Sequence, residues 1–92
     1  MSVATAELAN ALGVGESELL KEALHSLLLE KKREVLQANL EILSRYGATS
    51  LDDLEARIAD GDVAEHPAWE DLIVAENLHT RLGELDDYLR RL

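Results

Sequence analysis

Two Glu-x-x-His pairs are the residues of this sequence whose types and spacing could do chemistry. Glu22 precedes His25 by three positions, and Glu76 stands in the same relation to His79. Pairs at this spacing bind two iron or two manganese ions inside helical bundles, where two further Glu residues complete the ligand set. Glu76, however, falls on the side of its predicted helix opposite the apolar positions, where side chains are expected to be solvated. We therefore predict no metal site, with a metal-binding helical oligomer as an alternative.

No serine stands where a nucleophile could be activated. The five Ser residues fall at the chain start, at helix caps or on helix faces, without the sharp turn that exposes a catalytic hydroxyl. A phosphate-binding loop is also missing from the sequence. We therefore expect that the protein is not an enzyme and that it uses no cofactor.

The charge of the chain is acidic and unevenly distributed. The formal net charge is −10, and residues 47–92 carry twelve acidic and four basic side chains. Such a field repels the phosphates of nucleic acids and favours encounter with a basic partner surface. The chain has no cysteine and no apolar run long enough to span a membrane, which predicts a cytoplasmic protein without membrane contact.

Apolar residues spaced three and four apart, separated by Gly and Pro, predict four helices. Their predicted bounds are 5–12, 17–46, 50–60 and 67–91. Thr5 is the expected N-cap of the first helix and Thr49 or Ser50 that of the third, while Pro67 suits a first helical position. The prediction is an all-α fold in a single domain, 1–92. It is a small bundle of a short N-terminal helix, a long central helix, a short helix and a long C-terminal helix, shared across a dimer.

The central helix carries apolar residues on two opposite sides, so it needs partners on both. One side consists of Leu20, Leu24, Leu27, Val35, Ala38 and Ile42, and the other includes Leu29, Leu36, Leu40 and Leu43. Heptad-spaced leucines of the C-terminal helix can cover one side from within the subunit. Leu36, Leu40 and Leu43 remain uncovered, and we predict that they form the twofold contact of a homodimer.

A run of five charged residues, 30–34, interrupts both apolar sides of the central helix. Two interpretations are open for the lysines within it. The long stems of Lys31 and Lys32 can carry their charges past the core into solvent. Alternatively, these lysines pair with acidic groups of the C-terminal half, in the same subunit or in another.

The first two helices resemble a helix-turn-helix, with Ala9 and Gly13 at its small-residue and turn positions. Recognition helices present Arg, Lys, Asn or Gln to bases and phosphates. Here the second helix begins with Glu16 and Glu18, and Glu22 stands where the motif has an apolar residue. We therefore expect that the protein does not bind DNA, with a helix-turn-helix transcriptional regulator as an alternative function.

Trp69 lies in the first turn of the predicted C-terminal helix, and Ile73 and Val74 follow one turn later. A Trp at such a position belongs either to the core or to an interface, since Trp is enriched among the residues that dominate binding energy. The sequence leaves both interpretations open.

Three stretches of the chain, SVATAELANALGVGESELLKEALHSLLLEKKREV, EILSRYGATSLDDLEARI and HPAWEDLIVAENL, resemble small acidic helical antitoxins of prokaryotic type II toxin–antitoxin pairs. The resemblance implies a protein-interaction module that neutralises a basic toxin by occluding its site. The implied partner-binding residues are the apolar anchors Trp69, Ile73 and Val74 and the acidic Glu70, Asp71, Asp86 and Asp87. It also implies that the protein dimerises.

Overall fold

The computed structural model describes residues 3–92 and confirms the all-α prediction. Four helices follow one another: α1 (Val3–Leu12), α2 (Glu16–Arg45), α3 (Leu51–Ala59) and α4 (Glu65–Arg91). Because α1 already includes Val3, Thr5 lies inside the helix, and its prediction as the N-cap is wrong. The backbone of His66 is not helical (φ −112°, ψ 127°), so the continuous part of α4 begins at Pro67.

α2 and α4 lie side by side in opposite directions and form a hairpin. Lys32, near the middle of α2, contacts Asp86 of α4, with 2.8 Å between Nζ and Oδ1. Arg45, at the end of α2, reaches Asp71 near the start of α4, with 3.5 Å between Nη1 and Oδ2. The two contacts together define the antiparallel register. The resulting molecule is elongated, with dimensions of 60 × 20 × 18 Å.

The two lysines of the charged run behave differently. Lys32 pairs with Asp86 of the same subunit. This agrees with the second interpretation of the charged run, in which its lysines pair with acidic groups of the C-terminal half. Lys31 instead lies near Glu34 of its own helix, 3.5 Å away, and both side chains are about half exposed. Exposed pairs of the latter kind contribute little to stability.

The hydrophobic core is concentrated at one end of the hairpin, where α3 packs across the end of α2 and the start of α4. Its buried members are Ile42, Leu43, Leu54, Ile58, Ala68, Leu72 and Ala75. Leu54 and Leu72 are the largest side chains that are almost completely buried. We call this region the compact end. The central helix thus buries Ile42 and Leu43, which are adjacent residues, because α4 and α3 cover neighbouring sides of it.

The opposite region, which we call the open end, consists of α1, the first half of α2 and the last turns of α4. Among its described residues, Ala9 of α1 and Leu85 of α4 are buried, whereas most of the leucines of α1 and α2 are 41–60% exposed. α1 lies against the first turns of α2, where Leu8 and Leu19 line a shallow apolar groove. The apolar residues of this end are therefore only partly covered by the subunit itself.

Hydrogen bonds at the start of α3 fix this short helix in place. The Ser50 hydroxyl accepts a bond from the Asp53 backbone N–H, which makes Ser50 the N-cap. The Asp53 carboxylate in turn accepts the Thr49 backbone N–H at 2.9 Å and the Arg57 Nε–H at 3.2 Å. These donors, the Thr49 amide first, hold the pKa of Asp53 below its ordinary value. The stabilising charge is therefore fully present above the ordinary Asp pKa and is lost as the pH falls through the lower folded value.

Tyr46 links the end of α2 to the start of α4. Its hydroxyl donates a hydrogen bond to the Asp71 carboxylate, which also faces Arg45. This bond, aided by desolvation, raises the pKa of Tyr46 above its ordinary value. The Tyr46 ring also packs against the core, so the hydroxyl and the ring together join the two helices at the compact end.

We expect the Leu54→Ala substitution to lower the free energy of unfolding by roughly 3 kcal/mol or more, because it removes a fully buried side chain and leaves a cavity. Urea denaturation followed by circular dichroism at a fixed protein concentration measures this change. The matched control is Leu12→Ala at the open end, where the side chain is 60% exposed and the expected change is within about 0.5 kcal/mol. Equal losses for the two variants would contradict a core concentrated at the compact end.

Candidate protein-interaction groove

A concave site lies at the compact end, between α3 and the start of α4. Its volume is about 440 Å³, and its lining residues are Glu55, Ile58 and Ala59 from α3 and Glu65, His66 and Trp69 from α4. Apolar, aromatic and charged side chains thus converge in one groove. A groove of this size suits one or two side chains of a bound segment.

The positions of these side chains follow from how the two helices are anchored. Successive helical residues point about 100° apart, so Trp69 faces outward because its neighbour Ala68 is completely buried in the core. Glu55 likewise follows the buried Leu54 in α3. Because Leu54 and Ala68 are held in the same core, the groove is lined by side chains on two elements that cannot easily move apart.

Trp69 is 48% exposed. Of the two interpretations that the sequence leaves open, membership of the core does not hold for this residue, since the core at this point is filled by Ala68 and Leu72. An indole that is half in contact with protein and half open to solvent can make further contacts with a partner at low entropic cost.

The groove carries negative charge. Glu55 and Glu65 line it, and Glu70 adjoins it through a contact of 2.6 Å between its Oε1 and Nδ1 of His66. The pKa of Glu70 is lowered, first by the hydrogen bond from its own backbone N–H and then by the bond from His66. Glu70 therefore stays ionised at neutral pH, and the region around the indole holds three carboxylates.

An exposed aromatic ring beside carboxylates has a definite chemical preference. A Lys or Arg side chain can place its cation over the indole face and its N–H groups on the carboxylates, so cation–π attraction and charge-assisted hydrogen bonds act together. Ile58 and Ala59 supply apolar contacts for the aliphatic stem of such a side chain. The groove thus has the composition of a receptor for a basic segment.

The partner-binding residues implied by the sequence do not form one surface. Ile73 is one turn beyond Trp69 on a similar side of α4 and is about half exposed, whereas the half-exposed Val74 points to a different side. Asp86 lies seventeen residues after Trp69, which is roughly 25 Å along the helix. Asp86 is paired with Lys32, and its neighbour Asp87 with Arg90 and Arg91.

Asp71 also has a role inside the subunit. Its carboxylate accepts the Tyr46 hydroxyl and is only 21% exposed, so it is largely used in joining α2 to α4. Of the acidic residues implied by the sequence, Glu70 is the one that adjoins the groove. Sequence reasoning missed Glu55, Glu65 and His66. Glu55 is fourteen positions from Trp69 in another helix, and no local signal joins the two.

The predicted self-association residues also divide. Leu43 belongs to the hydrophobic core and is 6% exposed, because α3 covers it within the subunit. It is therefore not available at the surface for a contact between copies. Leu36 and Leu40 remain exposed, in agreement with an unfilled side of α2.

The residues of the two alternative functions, metal binding and DNA binding, lie at the open end and along α4. Among residues 3–92, no group of three or more His, Asp or Glu side chains is arranged to hold a metal ion. Glu22 and His25 line a shallow groove on α2 together with Glu18 and Lys21. These same exposed side chains form the start of the would-be recognition helix. Within the described part of the chain, no helix is long and apolar enough to cross a membrane.

The fold and the groove define a small helical-hairpin protein with an acidic groove beside Trp69. The family model described as "Uncharacterized protein MJ0235 family" matches residues 1–92, so the chain belongs to the MJ0235 family. No curated protein and no solved structure matches the chain.

The charge of the groove can be tested by quenching of Trp69, which is the only tryptophan of the chain. We expect caesium to quench its fluorescence more strongly than iodide, relative to a free tryptophan derivative, because the carboxylates attract the cation. Replacing Glu55 and Glu65 together by Gln should reduce the difference between quenching by caesium and quenching by iodide. The control Glu84→Gln, fifteen residues further along α4, should leave it unchanged. Preferential quenching by iodide would contradict an acidic groove.

Proposed function

We propose that this protein is a protein-interaction module that holds a basic segment of a partner protein in the groove between α3 and α4. The observation that carries the proposal is the half-exposed Trp69, bordered by carboxylates from two helices. An aromatic anchor with surrounding opposite charge is a common arrangement at the centre of binding surfaces.

The rigidity of the compact end supports this proposal. Leu54, Ile58 and Leu72 anchor α3 and α4 in one core directly beneath the groove. A site whose side chains are already placed loses less conformational entropy when a ligand binds. The open end, where few side chains are buried, has no comparable support for a binding groove.

The distribution of charge supports a basic partner in particular. Residues 49–65 contain six acidic side chains and one basic side chain, Arg57, so this segment carries −5 of the net charge of −10. The segment includes α3 and leads into the groove. Half of the net charge therefore lies at one end of a 60 Å molecule and directs basic partners to that end.

We expect an Arg-rich peptide to bind the protein and to change the fluorescence of Trp69, with an affinity that falls as salt is added. Replacing Glu55 and Glu65 together by Gln should weaken binding roughly three- to tenfold, since partly exposed ion pairs contribute modestly. Trp69→Ala should weaken it further when binding is followed by calorimetry. Glu84→Gln and an acidic peptide of equal length are the controls. Binding that is equal for all variants would contradict the groove as the site.

The specific form of the proposal is an antitoxin that covers the basic site of a toxin in the cytoplasm. It is supported by the resemblance of the sequence to small acidic antitoxins and by the acidic groove. The groove residues Trp69 and Glu70, with the nearby Ile73, would form the contact surface.

This form predicts that a small basic protein encoded beside the chain arrests growth when expressed alone. Co-expression of the chain should restore growth, and Trp69→Ala should reduce the rescue while Leu12→Ala retains it. Protein levels of both variants must be compared on the same samples. A neighbouring product that leaves growth unaffected would rule out the antitoxin form, and the peptide experiment would still test the general binding function.

A further inference from the structure

The protein exposes more surface than its mass accounts for. Its accessible area is 6402 Å², whereas a folded monomer of 10.2 kDa has roughly 5,300 Å². The excess of about 1,100 Å² exceeds the roughly 800 Å² that each partner contributes to a standard interface. The radius of gyration is 19.3 Å, compared with about 12 Å for a compact domain of this length. The hairpin thus has the surface for one additional interface.

One side of the hairpin is an exposed apolar surface, which we call the leucine face. It is formed by Leu29, Leu36 and Leu40 of α2, which are 46%, 45% and 59% exposed, and by Gly83 of α4. Leu43 and His79 line one groove with the start of α3, which shows that they lie on the same side of the hairpin.

The helical repeat extends this side along both helices. Leu36 and Leu29 precede Leu43 by two and four helical turns, and Leu40 precedes it by three residues, so all three share its side of α2. Gly83 follows His79 by four residues on α4. The leucine face is therefore continuous with the side on which α3 packs, and it extends from α3 toward the open end.

Gly83 lies at the level of Leu36. The register follows from the contact of Lys32 with Asp86, since one turn along α2 in one direction corresponds to one turn along α4 in the other. A Cβ atom at Gly83 would have no heavy atom of this chain within 4 Å. Glycine inside a helix costs about 1 kcal/mol relative to Ala, and nothing within the subunit requires the free space. The absence of a side chain at Gly83 leaves room there for a helix of another molecule.

The charges around the leucine face favour a second copy of the chain as the occupant. The charged residues on this side of the two helices have both signs and include Glu22, Arg33, Glu76 and Arg90. Half of the acidic excess of the protein lies in residues 49–65 at the compact end. A face of mixed charge repels an identical face less than the strongly acidic compact end would, and it attracts a basic partner less.

The position of α3 decides the orientation of the two copies. α3 stands on the same side as the leucine face, at the compact end. Two copies facing each other with both compact ends together would bring the two α3 helices into collision and the two segments of charge −5 side by side. A twofold axis can instead lie in the plane of contact, perpendicular to the long axis of the hairpin. Rotation about this axis places the two compact ends at opposite ends of the dimer.

We propose that the chain forms an antiparallel homodimer in which two hairpins pack through their leucine faces. The twofold axis passes near the middle of the leucine face, so Leu29 of one copy faces Leu40 of the other. Gly83 of each copy then lies close to the axis, where the two α4 helices approach. The dimer is a four-helix arrangement of two α2 and two α4 helices. The acidic grooves face outward at its two ends.

Sedimentation at micromolar concentration should give a mass about twice 10.2 kDa. Leu40→Glu should weaken self-association roughly a hundredfold or more, because each copy would bury a carboxylate with no cation three or four residues away on its helix, while the helical circular dichroism is retained. The matched control, Leu12→Glu on α1, should remain dimeric. A second variant, Gly83→Leu, should also weaken self-association by filling the space at the axis. A wild-type monomer, or a Leu40→Glu protein that remains dimeric, would overturn the proposal.

The orientation has its own test, since the chain contains no cysteine. A mixture of the Leu29→Cys and Leu40→Cys proteins should form a disulfide-linked heterodimer under mild oxidation, and each protein alone should cross-link much less. Cross-linking that is strongest for Leu29→Cys alone would overturn the antiparallel arrangement. These experiments do not use the acidic groove, so they succeed or fail independently of the proposed partner binding.

Discussion

Burial of Leu54 and Leu72 in one core is the interaction on which the rest of the structure depends. Two long antiparallel helices share only a narrow seam, which leaves both flanks of the hairpin open. α3 closes one flank at one end, and the core formed there holds the end of α2, the start of α4 and α3 together. All three are thereby placed relative to one another. The open end has no corresponding third helix in the same position, and its leucines stay partly exposed.

The same core determines where a binding groove can exist. Ala68 and Leu54 point inward, so their neighbours Trp69 and Glu55 point outward on two helices that meet at an angle. A recognition site requires side chains that are fixed before the ligand arrives, and the compact end is the part of the molecule with enough buried contacts to fix them. The distribution of apolar residues therefore separates two roles along one molecule. The compact end supports the proposed groove, and the exposed leucines further along the hairpin support the proposed self-association.

Charge is also distributed unevenly between the compact end and the rest of the molecule. Two acidic residues of α4 pair with cations of α2: Asp71 with Arg45 and Asp86 with Lys32. The segment of residues 49–65, which contains α3, carries −5 of the net charge of −10. Net charge alone would suggest that the whole C-terminal half attracts a basic partner. The pairing inside the hairpin lowers the contribution of Asp71 and Asp86 to this attraction.

The sequence by itself determined the helical fold and the places where its helices end, because these depend on local signals. Gly13, Gly47 and Gly61 stand at helix ends with φ values of 73°, 62° and 77°, which other residues rarely adopt, and Ser50 caps α3 through its own hydroxyl. The exposure of Leu36 and Leu40 also follows from the helical repeat. Only the tertiary structure decided that Leu43 is buried, since this depends on α3, a separate element, folding over it. It likewise separated Asp86 and Asp87 from Trp69 and brought Glu55 to the groove, because neighbours across a helix interface are chosen by packing and not by sequence distance.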